Sequence, residues 1–213
     1  MIDKQNFIEF LVSQDVLKFG TFTLNSGRQS PYFFNLGSVS SGASYARLGA
    51  AYADAVQQSG IEFDLIFGPA YKGIPIAVAA SLALAERGVD VGMAYNRKEA
   101  KDHGEGGSLV GAPVTGRVLM LDDVLTSGKA IRGAAELIRA QDAEIAGVVI
   151  ALDRAEVMAE ADQTAVAELA QELGSPVVSI AHVSDVLDYL QRTDAEPEVL
   201  QAMGAYTQQY CAF

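Results

Sequence analysis

Apolar positions change their period along the chain. Over residues 4–17 they fall at Phe7, Ile8, Leu11, Val12 and Val16, the spacing of a helix with one buried face. The stretch FGTFTLNSGRQSPYFFNLG, 19–37, mixes aromatics with Gly, Ser and Pro and predicts short strands joined by turns. Helical spacing returns over 43–58 and stops at Gly60. Beyond it the rhythm is regular. Short continuous apolar runs predict strands at 64–67, 89–95, 117–121, 145–152 and 177–180, with helices at 74–86, 129–141 and 163–172. Runs that are apolar throughout, rather than alternating, belong to strands covered on both faces. The pattern therefore predicts an α/β fold, a mostly parallel central sheet with helices on both faces. The first 40 or so residues do not share the rhythm and are expected to form a small N-terminal cap. No repeat, low-complexity tract or linker divides the 213 residues, so a single domain over 1–213 is expected.

A formal net charge of -12 argues against a nucleic-acid partner, whose phosphates need a broad basic face. It does not argue against a small anion, because a few cations gathered in a cleft reverse the local field. The chain has one cysteine, Cys211, so no internal disulfide forms. Cys211, the two histidines and the scattered carboxylates lack metal-ligand spacing, and no site built from protein ligands is expected. The opening MIDKQNFIEFLVSQ carries Asp3 and Glu9 and does not read as a secretory signal. No apolar run approaches the roughly 20 residues of a membrane span. A cytoplasmic protein without a membrane partner is the expectation.

Ligands of open α/β sheets lie at the carboxyl ends of the strands, so the chemistry is sought in those loops. After the apolar run 117–121 comes DDVLTSGKA, 122–130. The turn Thr126–Ala130 offers hydroxyls and backbone N–H groups where a helix begins, which suits a phosphate monoester. Carboxylates repel phosphate, so Asp122 and Asp123 are expected to serve neighbouring sugar hydroxyls or water around Mg²⁺. A phosphate beside a diol suggests a ribose 5-phosphate. The ending SGKA is not a nucleotide-binding P-loop. That motif needs Gly where Asp123 stands and Ser or Thr where Ala130 stands. A strand end and a helix cap account for one aspartate, but not for the whole string.

Val118–Ala130 resembles the phosphoribosyl-diphosphate signature of the type I phosphoribosyltransferases. Three further segments, TLNSGRQSPYFFN (23–35), FGPAYKGIPIA (67–77) and NRKEAKDHGEGG (96–107), resemble the bacterial orotate phosphoribosyltransferase branch. The resemblance implies the fold of that family, in which the N-terminal residues form a hood over the base. It also implies the reaction: orotate and 5-phosphoribosyl 1-diphosphate (PRPP) give orotidine 5′-phosphate and diphosphate, with Mg²⁺, in pyrimidine (UMP) biosynthesis. Another nucleobase, or a non-catalytic PRPP sensor, are the alternatives. Phe33–Phe34 and Arg154 oppose the first, and the absence of a DNA-binding segment opposes the second.

By position, the resemblance places PRPP against Asn25, Tyr71 and Lys72, and against Asp122, Asp123, Val124 and Leu125 with Thr126, Ser127, Gly128, Lys129 and Ala130. It implies a cis peptide between Ala70 and Tyr71. Phe33 and Phe34 would bracket the orotate ring, Thr126 would touch both substrates, and Arg154 would meet the orotate carboxylate with its planar fork. Residues 97–107 resemble a mobile catalytic loop that closes over the neighbouring subunit of a homodimer. Arg97, Lys98, Lys101 and His103 match its diphosphate contacts, and its glycines supply hinge freedom. Lys101, His103 and Asp123 are the expected catalytic residues. Asn25 departs from the branch, where lysine is usual, and brings no charge to the diphosphate.

Overall fold

The structure, a computed structural model, describes residues 3–24, 27–101, 107–157 and 163–212. Its centre is a six-stranded sheet made of β3 (Leu65–Gly68), β4 (Gly92–Lys101), β5 (Gly107–Gly111), β6 (Arg117–Val124), β7 (Glu144–Asp153) and β8 (Val177–His182). The strand order is β5-β4-β3-β6-β7-β8, parallel except for the antiparallel β4–β5 edge. The expected α/β architecture is present. Alternate residues of the buried strands feed two separate cores: on β6, Leu119 and Leu121 face one and Val118 and Met120 the other, all fully buried. Each such side chain stabilises by about 1.5–3 kcal/mol, which is why the strand must be apolar on both faces.

The first core is covered by α1 (Lys4–Ser13), α2 (Gly42–Ser59), α3 (Gly73–Ala85), α6 (Val183–Arg192) and α7 (Pro197–Tyr210). The second is covered by α4 (Lys129–Arg139) and α5 (Ala165–Leu173). Outside the sheet, β1 (Leu17–Thr23) and β2 (Gln29–Phe34) form a separate antiparallel ribbon, with Leu17 opposite Phe34. The alternation on β2 buries Ser30, Tyr32 and Phe34 and exposes Phe33. Among the described helices none is long and apolar enough to cross a membrane.

Two findings differ from the sequence reading. Residues 97–101 are not loop. They continue β4, and Lys101 pairs with Gly107 of β5, so the described ends of the segment read as a loop are two strands of an arm; residues 102–106 lie outside the described residues. Pairing with β5 is regular over 94–96 and shifts register before Lys101, and the charged side chains of Arg97, Lys98 and Glu99 in between carry no apolar signature. The reading also omitted α6 and α7. The stripe Val183, Val186, Leu190 of α6 is helical and buried, whereas α7 buries only Met203, Tyr206 and Thr207 within a polar sequence.

Candidate active site

The carboxyl ends of β3, β6 and β7 open into one cleft of about 720 Å³, closed on its far side by the β1–β2 ribbon. From β3, the chain passes through Pro69–Lys72 into α3. The turn is tight because Gly68 and Gly73 lie against each other and against β6. A Cβ on Gly73 would stand 2.8 Å from the Leu121 carbonyl oxygen and 2.7 Å from Pro69. The Ala70–Tyr71 peptide is cis, as the resemblance implied. Asn96 of β4 steadies this loop, its Oδ1 accepting from the Ala70 N–H at 3.0 Å.

Lys72, the residue at which α3 begins, extends Nζ to within 2.6 Å of Asp123 Oδ2. Asp123 is itself braced, Oδ1 accepting from the Val124 N–H at 2.8 Å. Asp123 lines the cleft; Asp122 lies beneath it, buried, and Tyr52 donates to its backbone oxygen at 2.6 Å. Burial, and after it the charge of Asp123, push the Asp122 carboxyl up to about 7, against the pull of the Asp123 N–H and Lys72. A carboxyl so raised binds its proton more tightly folded than unfolded. Its stabilisation is full below the ordinary value of 3.8 and is lost as pH rises through about 7. Over that window the melting temperature of the wild type should fall relative to Asp122→Asn by at least about 3 °C. A pH-independent difference in calorimetry would contradict this assignment.

The helix starts differ in how they are capped. α1, α2, α5 and α6 are each capped by a side chain, from Asp3, Ser41, Thr164 and His182. α7, which opens on Pro197 away from the cleft, has no side-chain cap; at the cleft, α3 and α4 also lack one. Their first N–H groups and positive dipole ends are therefore available to anions, each worth about 0.3–1 kcal/mol or more where partly buried. Gly128 permits this at α4 through its left-handed backbone, φ 64°. Arg132 steadies the same turn, donating to the Ser127 carbonyl while pairing with Glu168 and Glu172 of α5. Val124, Leu125, Thr126 and Ser127 line the cleft, whereas Lys129 and Ala130 are exposed and are not among its lining side chains.

On the opposite wall, Phe33 is 39% exposed and stacks on Phe22 with centroids 5.5 Å apart. Phe34 is buried but still reaches the cleft lining. Arg154 follows β7 directly and is 8% exposed. Its guanidinium lies over the Tyr32 ring at 4.6 Å and donates from Nε to Glu156 Oε1 at 2.9 Å. Sequence reasoning missed Glu156 and Arg28, which also line the cleft. Arg28 Nη1 is 3.6 Å from Glu156 Oε2. Adjacency to Arg154 in DRAE was the one available signal for Glu156.

Lys98 of the arm sits over the Tyr71 ring at 4.8 Å, and Arg97 is half-buried beside it on β4. Neither lines the cleft. Asn25, His103 and the Lys101 side chain lie outside the described residues. The charged lining residues, Arg28, Lys72 and Arg154 against Asp123, Asp153 and Glu156, balance to zero. A polyanion here must draw on helix N-termini and on cations brought from elsewhere.

Residues 39–172 match the family model for a phosphoribosyl transferase domain. The chain is 54% identical over 207 residues to orotate phosphoribosyltransferase of Chromobacterium violaceum, covering 97% of this chain and 96% of that one. It is 52% identical over 209 residues to the protein of the same name from Stutzerimonas stutzeri, covering 97% of each. The crystal structure of Francisella tularensis orotate phosphoribosyltransferase matches with a TM-score of 0.87 at 38% identity, covering 97% of this chain and 100% of that one. By fold, by cleft and by these matches, the chain belongs to the orotate phosphoribosyltransferase family.

Proposed function

We propose that this cleft transfers ribose 5-phosphate from PRPP to orotate, giving orotidine 5′-phosphate and diphosphate. The observation that carries the reading is the placement of two unlike half-sites in one cleft. One wall has an aromatic face and a buried guanidinium, Phe33 and Arg154, suited to a flat ring bearing a carboxylate. The other has Lys72, Asp123 and two helix starts without side-chain caps, suited to a phosphorylated sugar. In this reading the C1–O bond breaks with its electron pair leaving on diphosphate. The C1–N bond forms from the orotate ring nitrogen, whose proton passes to solvent or to the departing diphosphate. Asp123 holds the ribose hydroxyls, the 126–130 turn holds the 5′-phosphate, and Lys72 turns from Asp123 to the departing diphosphate.

The arm residues Arg97, Lys98, Lys101 and His103 supply the positive surplus that the balanced cleft lacks, and closure of the arm excludes water. At an effective dielectric near 20, a charge pair at 4 Å is worth about 4 kcal/mol, against about 1 in water. Asn25 adds only hydrogen bonding to the same ligand. Among the described residues no group of three or more His, Cys, Asp or Glu side chains converges on a metal position. Asp123, the cleft-facing carboxylate of the pair, suits water around Mg²⁺ carried in on the substrate's diphosphate, where the ion would neutralise leaving-group charge.

The homodimer belongs to this reading too. Along α3, Val78 is 40% and Leu82 65% exposed, one turn apart, and Tyr71 at the helix start is 63% exposed. An apolar stripe of this kind, next to the arm, suits cover by a second copy of the chain, whose cleft the arm would then reach. The ribbon of β1 and β2 serves as the base hood, and the enzyme works in the cytoplasm. The test is nucleotide formation from PRPP and Mg²⁺ with orotate, uracil, adenine and hypoxanthine in turn. Turnover confined to orotate is expected, and preference for another base would refute the reading.

A further inference from the structure

Behind Arg154 the chain builds an arrangement that the transfer chemistry does not by itself require. Ala155 adopts a left-handed backbone, φ 51°, so that Glu156 folds back onto the guanidinium it follows. One oxygen, Glu156 Oε1, accepts from Arg154 Nε at 2.9 Å and from the Tyr206 hydroxyl of α7 at 2.6 Å. The other, Oε2, faces Arg28, whose guanidinium lies 4.4 Å above the Tyr210 ring. The last described residues close the assembly. Val157 N–H donates to the Tyr210 carbonyl at 2.9 Å, Ala212 N–H to the Ala155 carbonyl at 3.0 Å, and the Cys211 thiol to the Arg154 carbonyl at 3.3 Å.

The consequence for Arg154 is directional. Tyr32 covers one face and Glu156 takes the Nε edge, so the guanidinium cannot rotate without losing both. Nη2 lies 2.7 Å from the same Oε1 as an ion pair, so Glu156 holds the Nε–Nη2 edge of the fork. Arg154 also lines the cleft, where its planar fork offers charge-assisted hydrogen bonds to a carboxylate on the ligand.

We propose that Glu156, held by Tyr206, is a positioning residue that sets the orientation of Arg154 for the carboxylate of the base. The C-terminal helix α7 thereby becomes part of the base site. The inference rests on the reading above, in which Arg154 receives that carboxylate. Electrostatics alone predicts the opposite effect of removing Glu156: an anion gone from beside Arg154 should make orotate bind tighter. Positioning predicts weaker binding, so the two accounts differ in sign.

The experiment compares steady-state kinetics of Glu156→Ala, Glu156→Gln, Tyr206→Phe and Arg154→Lys, varying orotate and PRPP separately. Glu156→Ala should raise the orotate KM roughly tenfold or more, the cost of one charge-assisted hydrogen bond, and leave the PRPP KM within about twofold. Glu156→Gln keeps an acceptor for Nε and the Tyr206 hydroxyl and should recover most of the loss. Tyr206→Phe should raise the orotate KM by about two- to fivefold, the loss of a single neutral donor. An orotate KM unchanged or lowered in Glu156→Ala overturns the proposal, as does an equal rise in both KM values. If that variant does not fold, Tyr206→Phe decides in the same way, with an unchanged orotate KM overturning it. An unaltered orotate KM in Arg154→Lys would instead overturn the underlying assignment of Arg154, which keeps the two failures distinct.

Discussion

Asp123→Ala should lower kcat/KM by roughly 10²–10³-fold, the scale for removing one preorganised group from a transition-state site. The geometry gives the reason. Asp123 is the cleft-facing member of the aspartate pair, with Oδ1 fixed by the Val124 N–H and Oδ2 held by Lys72 at 2.6 Å. Its removal takes away the hydroxyl acceptor and leaves Lys72 without its resting partner. Lys101→Ala, in the arm, should give a loss of similar size by withdrawing charge from the departing diphosphate. The two dead proteins should then rescue each other. If the arm serves the neighbouring subunit, a mixed dimer places both lesions in one site and leaves the other intact. Equal mixing makes half of the dimers mixed, so about one quarter of wild-type activity should return. No recovery after verified subunit exchange would contradict the shared site.

Arg154→Ala carries the second large expectation. Removing one member of a buried charge pair costs about 2–5 kcal/mol, so kcat/KM for orotate should fall roughly 10²-fold or more. The loss should appear in the orotate KM first, since the contact is made to the bound base as well as in the transition state. Arg154→Lys should retain little, because an ammonium keeps the charge but neither the planar fork nor the stack on Tyr32. A variant enzyme that still prefers orotate over uracil to the wild-type degree would contradict this role.

How much of this was legible in the sequence depends on what holds each element. β6 and the turn after it were legible because a strand buried on both faces is continuously apolar there, and a backbone anion cradle favours the small Thr126, Ser127 and Gly128 that precede α4. The outer half of β4 was not. Its residues Arg97 to Lys101 extend β4 from the paired Asn96 to the paired Lys101, and an extension with charged side chains leaves no apolar pattern. The two phenylalanines could be seen but not told apart. Only the β2 alternation, fixed by pairing Leu17 with Phe34, shows that Phe33 faces outward and Phe34 inward. The brace around Arg154 was least legible, since it joins Arg28, Glu156 and Tyr206 from three distant parts of the chain. Charge misled in one respect. The cations of the cleft are matched by its own carboxylates, so the field needed for a polyanion is not present in the fixed walls alone.

The central claim is that the cleft couples loss of diphosphate to glycosidic bond formation on orotate. The most direct measurement is the release of diphosphate from PRPP and Mg²⁺ with and without orotate, followed together with nucleotide. The account predicts one diphosphate for each orotidine 5′-phosphate and almost none when orotate is left out. Diphosphate released at the same rate without orotate, or without nucleotide formed, would contradict it.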